Sequence, residues 1–342
     1  MATAMNESVN GHNLLKVKDL RISFNTDEGI ITAVDGVSFS VKRGKTLGIV
    51  GESGSGKSVS THAIMRLLPK NAIIDKASSI ALYRKDGEIV EITQLKANGR
   101  EIRDIRGGEV ALIFQEPMSS FSPVYTIGNQ IMEAVLEHRQ VTKKEAQEIA
   151  IDLLDRVGIP NPRQRFKQYP FELSGGMRQR AMIAVALSSN PSLLIADEPT
   201  TALDVTIQAQ VLELMKELQE DFGMAIIFIT HNLGVIAQIA DEIAVMYLGG
   251  IVERGSRREI FHNAKHPYTV NLLHAIPHIG KAKSQRLVAI EGQIPSPLDR
   301  PRGCRFHTRC LEAMEGRCNV FVPNVTKVRD YHTVNCFLYE PE

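Results

Sequence analysis

The chain has 342 residues, enough for one large domain or two ordinary ones whose core needs no disulfide staples. Hydrophobic residues at 43% and charged residues at 23% are those of an ordinary globular protein. Forty basic against 39 acidic residues leave a formal charge of +1, which excludes a bulk electrostatic pull toward nucleic acid or anionic lipid, so the partner must be sought in motifs.

The opening segment, MATAMNESVNGHN, has no basic start followed by an apolar stretch and does not read as a secretory signal. No apolar run reaches the roughly 18 residues of a membrane-spanning helix. A cytosolic chain with reduced thiols is therefore expected. Residues 14–49 read as short strands with glycine turns, one of them carrying Phe24 in RISF. TLGIV, 46–50, is an apolar run typical of a buried strand, and VSTHAIMRLL after residue 58 has helical periodicity that stops at Pro69. Between them lies GESGSGKS, 51–58, the phosphate-loop pattern in its strand–loop–helix setting. A polyanion needs many N–H donors aimed at one place. Gly51, Gly54 and Gly56, with Ser53 and Ser55 between them, permit that close backbone approach. Lys57 is placed to reach the terminal phosphates and the Ser58 hydroxyl to ligate Mg²⁺.

From about Pro117 to Asn190 the pattern is helical, with IGNQIMEAVLEHR, KKEAQEIAIDLLDRVG and RQRAMIAVALSS. LSGGM, 173–177, opens the last of these. Ser174, Gly175 and Gly176 there make a second donor-rich helix N-terminus, suited to another phosphate cluster or simply to capping. SLLIADEPT, 192–200, reads as a buried strand ending in two carboxylates. Asp197 is expected to hold Mg²⁺ through its water shell and Glu198 to polarise an attacking water, although acidic residues also end strands for no catalytic reason. VTIQAQVLELMKELQEDF, 205–222, aligns Ile207, Val211, Leu214, Leu218 and Phe222 on one face, the stripe of a helix packed on a sheet. MAIIFIT, 224–230, is a further strand. Its end brings His231 to the edge shared by Lys57 and Glu198, where it can hydrogen-bond a γ-phosphate or the water.

GESGSGKS, Gln115 in IFQEP, LSGGM, LLIADEP, TALD at 201–204 and His231 occur in that order. Together they resemble the ATPase subunit of ATP-binding cassette (ABC) transporters over essentially the whole chain. The resemblance implies an α/β phosphate-loop NTPase core with an antiparallel β subdomain, an inserted helical subdomain and a small C-terminal extension. It implies a head-to-tail pair of ATPase subunits in which Ser174, Gly175 and Gly176 of one close on ATP held by Lys57 and Ser58 of the other. In that family's pattern Gln115 senses the γ-phosphate and Mg²⁺, Asp197 supports the metal, Glu198 is the catalytic carboxylate, His231 is the switch histidine and Asp204 touches the opposite subunit. Phe24 is the candidate for stacking on adenine, with a buried strand aromatic as the other reading. QEPMSSFSPV further resembles the dipeptide, oligopeptide and nickel importer group. That implies two membrane permease subunits, an extracytoplasmic solute-binding protein acting indirectly, no nucleic acid, and a place at the cytoplasmic face of the membrane. A soluble ABC-type ATPase acting on nucleic acid or ribosomes is the alternative, and a nucleotide-binding partner without turnover is a third reading. The absence of a basic stripe and the intact Glu198 and His231 count against these two respectively.

The cassette is expected to occupy residues 1–255, its helical portion about 117–190, and the extension 256–342. The extension holds EGQIPSPLDRPRG, expected to be an ordered connector, and all four cysteines, Cys304, Cys310, Cys318 and Cys336. Four thiolates in a reducing compartment suit iron–sulfur or zinc equally well, and His307 and His332 keep a mixed cysteine–histidine zinc site open. Paired Cys-x-x-Cys knuckles are missing, and some peptide-importer ATPases carry a four-cysteine cluster in this extension, so the resemblance implies [4Fe–4S].

Overall fold

The computed structural model describes residues 13–115, 120–201, 203–276, 290 and 292–341. The strands are β1 (Asn13–Thr26), β2 (Gly29–Lys42), β3 (Thr46–Val50), β4 (Ala72–Ile74), β5 (Ser79–Tyr83), β6 (Ile89–Glu91), β7 (Val110–Ile113), β8 (Leu193–Asp197), β9 (Ala225–Thr230), β10 (Glu242–Tyr247), β11 (Gly250–Ser256), β12 (Thr326–Arg329) and β13 (His332–Val334). The helices are α1 (Lys57–Ile64), α2 (Arg100–Ile105), α3 (Ile127–His138), α4 (Lys143–Arg156), α5 (Pro162–Arg165), α6 (Gly175–Leu187), α7 (Val205–Phe222), α8 (Leu233–Ile239), α9 (Arg257–Asn263) and α10 (Pro267–His274).

Two sheets form. The first is antiparallel, in the order β2-β1-β5-β6 with β4 on β1; the second runs β12-β13-β11-β10-β3-β9-β8-β7. Its centre, from β7 to β10, is parallel, and β3, β8 and β9 are buried along their whole length, as apolar runs covered on both faces should be. Their alternating side chains serve two cores. Ile49, Leu193, Ile195, Ile227 and Ile229 pack with the antiparallel sheet and α1; Val50, Leu194, Ala196, Ile226 and Phe228 pack with the helices of the opposite layer. Gly48 in β3 lets α8 approach, since a Cβ there would lie 2.7 Å from the Ile236 side chain.

The α/β architecture read from the sequence is the one observed. Three helices of the inserted portion start at side-chain caps, Thr126 for α3, a Thr142–Glu145 capping box for α4 and Ser174 for α6, while the short α5 starts at Pro162 without one. In α7, Val211, Leu214 and Leu218 are buried as expected, whereas Ile207 and Phe222 are only partly covered and Leu212 and Met215 complete the buried face. One helix is shorter than its periodicity predicts. α1 ends at Ile64, five residues before Pro69: Arg66 turns left-handed at φ 52°, the N–H groups of Arg66 and Leu67 return to the carbonyls of Ala63 and His62, and the Arg106 guanidinium donates to those of Met65 and Arg66 just beyond. Residues 116–119, which include part of the QEPMSSFSPV segment, lie outside the described residues, as does Ala202 of TALD.

The tail is not a free appendage. β13 pairs antiparallel with β11 and carries β12 outward, so residues beyond 324 extend the same sheet that holds the phosphate loop. The connector, among its described residues 292–303, has neither helix nor strand.

Candidate functional site

Parallel order places the ends of β3, β8 and β9 side by side, with Val50 opposite Thr230 and Asp197 opposite Ile229. Residues 51–56 loop out from β3 into α1. A Cβ at Gly51 would sit 2.1 Å from the Met246 carbonyl oxygen, and one at Gly56, where φ is 93°, would sit 2.5 Å from that of Ala33, so both positions require glycine. Lys57 is buried and its ammonium donates to the carbonyls of Gly51 and Glu52 at 2.8 and 3.0 Å. Burial lowers its pKa, opposed by the charges of Glu198, Asp197 and Glu52.

Across the loop, the Ser58 hydroxyl donates to Asp197 Oδ1 at 3.0 Å, and His62 Nε2 lies 3.6 Å from the other carboxylate oxygen. Burial raises the Asp197 pKa, with the Ser58 hydrogen bond and His62 pulling it back. A buried carboxylate facing a hydroxyl offers the hard oxygen donors that suit Mg²⁺. Glu198, one residue on, has φ of 47°, and its N–H donates to Ile229 O at 3.0 Å. Its carboxylate collects three side-chain donors: Gln115 Nε2 at 3.1 Å, Thr201 Oγ1 at 3.0 Å and His231 Nδ1 at 3.1 Å, the last requiring the proton on Nδ1. Lys57, Ser58, Gln115, Asp197, Glu198 and His231 thus converge on one sheet edge. Thr201, the first residue of TALD, and His62, four residues after Ser58, are members to which the motif reading gave no role.

Ser174, Gly175 and Gly176 stand apart. Ser174 caps its own helix by accepting from Met177 N, and Ser174 and Gly175 are exposed. Asp204 caps α7, accepting from the N–H groups of Thr206 and Ile207. Phe24 lies in β1 opposite Ile31 and Ala72, half-buried against the core beneath it.

In the tail, Cys304, Cys318 and Cys336 are buried and Cys310 is half-buried, and all four are free thiols. Burial raises the pKa values of Cys304, Cys310 and Cys336, the last to about 11, and the charges of the neighbouring cysteines add to each. Among the described residues, however, no group of three or more His, Cys, Asp or Glu is placed to hold a metal ion. His332 does not join the thiols. It is fully buried between Glu253 Oε1, at 2.7 Å from Nε2, and Glu259 Oε2, at 3.3 Å from Nδ1, where it ties β13 to β11 and α9. His307 Nδ1 hydrogen-bonds to Cys304 O at 2.8 Å.

A second group of residues went unread in the sequence. Arg309 donates from both terminal nitrogens to the Glu52 carboxylate, at 2.7 and 3.1 Å, and Glu52 N–H donates to the Tyr268 hydroxyl at 3.0 Å. The available signal was the acidic side chain itself, which sits inside a loop built for anions and calls for a cation somewhere in the chain.

Residues 34–201 match the family model described as ABC transporter, and residues 252–318 match the model of the oligopeptide/dipeptide transporter C-terminal region. A putative peptide import ATP-binding protein of Brucella melitensis is 49% identical over 96% of this chain and 97% of its own length. An oligopeptide transport ATP-binding protein of Bacillus subtilis is 48% identical over 96% of this chain and 90% of its own. Among solved structures, a dimeric ATP-binding cassette in a post-hydrolysis state with ADP and Pi superposes with a TM-score of 0.62 at 25% identity, covering 72% of this chain and 99% of that one.

Proposed function

The chain belongs to the ABC transporter family, among its peptide-import ATP-binding proteins, and from that premise we propose that it couples ATP hydrolysis to the uptake of di- or oligopeptides. It is an ATP-hydrolysing subunit of an importer. The observation that carries the site assignment is the convergence of Gln115, Thr201 and His231 on the Glu198 carboxylate, next to the Ser58–Asp197 pair. The nucleic-acid or ribosome alternative is not favoured, since the match over residues 252–318 is to the peptide-transporter tail.

In this reading Gly51, Ser53, Gly54, Ser55 and Gly56 wrap the phosphates with backbone N–H donors and Lys57 leaves the loop carbonyls for the terminal phosphate. Ser58, Asp197 and Gln115 would hold Mg²⁺, which would supply charge neutralisation on the phosphates. Glu198 accepts a proton from the attacking water as its oxygen bonds to the γ-phosphorus and the bond to the β-phosphate oxygen breaks, giving ADP and phosphate. His231 orients that water or the γ-phosphate, and Phe24 stacks on adenine. The exposed Ser174 and Gly175, with Gly176, receive the nucleotide of a second, homologous or paralogous ATPase subunit packed head to tail, an arrangement supported by the dimeric cassette that this chain resembles.

The two permease subunits dock beside the inserted helical portion, where Val124 and Tyr125 are exposed at 70% and 56%. No helix among the described residues is long and apolar enough to cross a membrane, which fits a subunit held at the cytoplasmic face by those permeases. We assign residues 1–255 to the cassette, with its helical portion at about 117–190, and 256–342 to the extension.

Replacing Glu198 by Gln in the assembled membrane complex is expected to lower ATPase kcat by at least about a hundredfold while ATP binding persists. Equal rates would remove Glu198 from the chemistry. Labelled-peptide uptake in the presence of the cognate binding protein tests the cargo.

The extension's thiols carry a second assignment, a [4Fe–4S] cluster on Cys304, Cys310, Cys318 and Cys336, with zinc as the competing occupant. Its support is the donor set: four unpaired thiols in one another's electrostatic field, whose protons a bound metal would displace. Anaerobically purified protein should contain iron and acid-labile sulfide; colourless protein with stoichiometric zinc would refute the cluster.

A further inference from the structure

Glu52 is an anomaly in its surroundings. It is the second residue of a loop whose purpose is to attract a polyanion, and an unpaired carboxylate there repels the triphosphate that the neighbouring N–H groups bind. The tail supplies the compensation. Arg309 is 4% exposed at its side chain, grips both Glu52 oxygens in a two-pronged pair, and also donates to the Tyr247 hydroxyl at 3.3 Å. Its guanidinium lies 5.7 Å from the centre of the Tyr247 ring.

The backbone of Glu52 is held as well. Its N–H is occupied by the Tyr268 hydroxyl, and the Tyr268 ring is wedged against Tyr247 and Phe306 at centroid separations of 4.7 and 5.3 Å. Tyr247 and Phe306 meet edge to face at 5.3 Å. Side chain and backbone of one loop residue are therefore fixed by β10, by α10 and by two residues of the tail. All four supporting side chains are buried, so the platform has little freedom to yield.

We propose that Arg309 is a positioning residue for ATP: by neutralising and anchoring Glu52 it holds residues 51–58 in their phosphate-binding shape and removes the loop's repulsion toward the nucleotide. This rests on the ATPase reading above and extends it, because it makes the C-terminal tail part of the nucleotide site. Arg309 acts on the loop through Glu52, so its effect appears in binding more than in turnover.

The test is steady-state ATPase kinetics of the assembled complex, with the thermal melt of each nucleotide-free variant measured alongside. R309Q is expected to raise KM for ATP roughly tenfold and to lower kcat by less than about threefold, the pattern of lost binding. R309K, which keeps the charge but not the two-pronged geometry, should fall between R309Q and wild type. The double variant E52Q/R309Q should have a KM closer to wild type than R309Q alone, because it removes the unpaired anion. A folded R309Q with wild-type KM overturns the proposal, and so does a double variant at least as impaired as R309Q. If R309Q does not fold, R309K decides: an unmoved KM overturns the proposal. An inactive wild-type complex would instead sink the ATPase reading.

Discussion

Glu198 adopts a left-handed backbone angle that residues with a Cβ rarely occupy, and no glycine could replace it without losing the carboxylate. The cost of that angle is offset locally by the hydrogen bond from its N–H to Ile229 O and by the three side-chain donors on its carboxylate. At the neighbouring Asp197, the burial that raises its pKa is offset first by the Ser58 hydroxyl, then by the charges of His62 and Lys57. Ser58→Ala removes that hydroxyl and one expected metal donor together. The Mg²⁺ concentration for half-maximal ATPase should rise roughly tenfold, read from a magnesium titration at saturating ATP; an unchanged midpoint would remove Ser58 from the metal site. These residues were legible in the sequence because each sits at the end of an apolar run or within a spaced motif. Arg309 was not, since its partner lies 257 residues away and no local pattern announces the pairing.

Among the elements, α10 shows how a cap can import a pH dependence. His266 is fully buried at the helix N-terminus, accepts from Tyr268 N–H through Nδ1, and has its pKa pushed down to about 3 by burial. Between that value and the ordinary 6.5 of a free histidine, the unfolded chain binds a proton that the folded chain refuses. Stability contributed by this site is therefore complete above pH 6.5 and declines as the pH falls toward 3, by up to about 1.4 kcal/mol per pH unit. His266→Asn retains a capping acceptor and should flatten that part of the stability–pH curve, measured by denaturant melts between pH 6.5 and 4.5; a slope equal to wild type would refute the assignment. Periodicity identified α7 over its full length, because its apolar stripe recurs along the whole helix even though Ile207 and Phe222 at its ends are only partly covered. It overran α1, because that helix stops at a left-handed turn at Arg66 that no apolar pattern marks, and the group bracing the turn, Arg106, reaches it from elsewhere in the chain.

At the scale of the whole molecule, the tail completes the main sheet. The family resemblance marked the residues beyond 255 as an extension, but strand pairing is a long-range property, and nothing in HTV or TKVR names β11 as the partner. Removing residues 325–342 would leave the β11 edge bare and strip the buried Glu253 of its contact with His332. Such a chain should lose on the order of 3 kcal/mol of stability and associate through the exposed edge, seen as a lower melting temperature and a concentration-dependent elution volume. A monomeric chain with an unchanged melt would show the hairpin to be dispensable.

The pairing of Arg309 with Glu52 also sets an order of events during synthesis. A chain emerges N-terminus first, so the phosphate loop is made long before residue 309, and until then the Glu52 carboxylate has no guanidinium beside it. A nascent or prematurely ended chain can form the central strands yet lacks the group that quiets its own loop. Completion of the nucleotide site is thereby tied to synthesis of residue 309, and a chain stopped before it has no guanidinium to brace the loop.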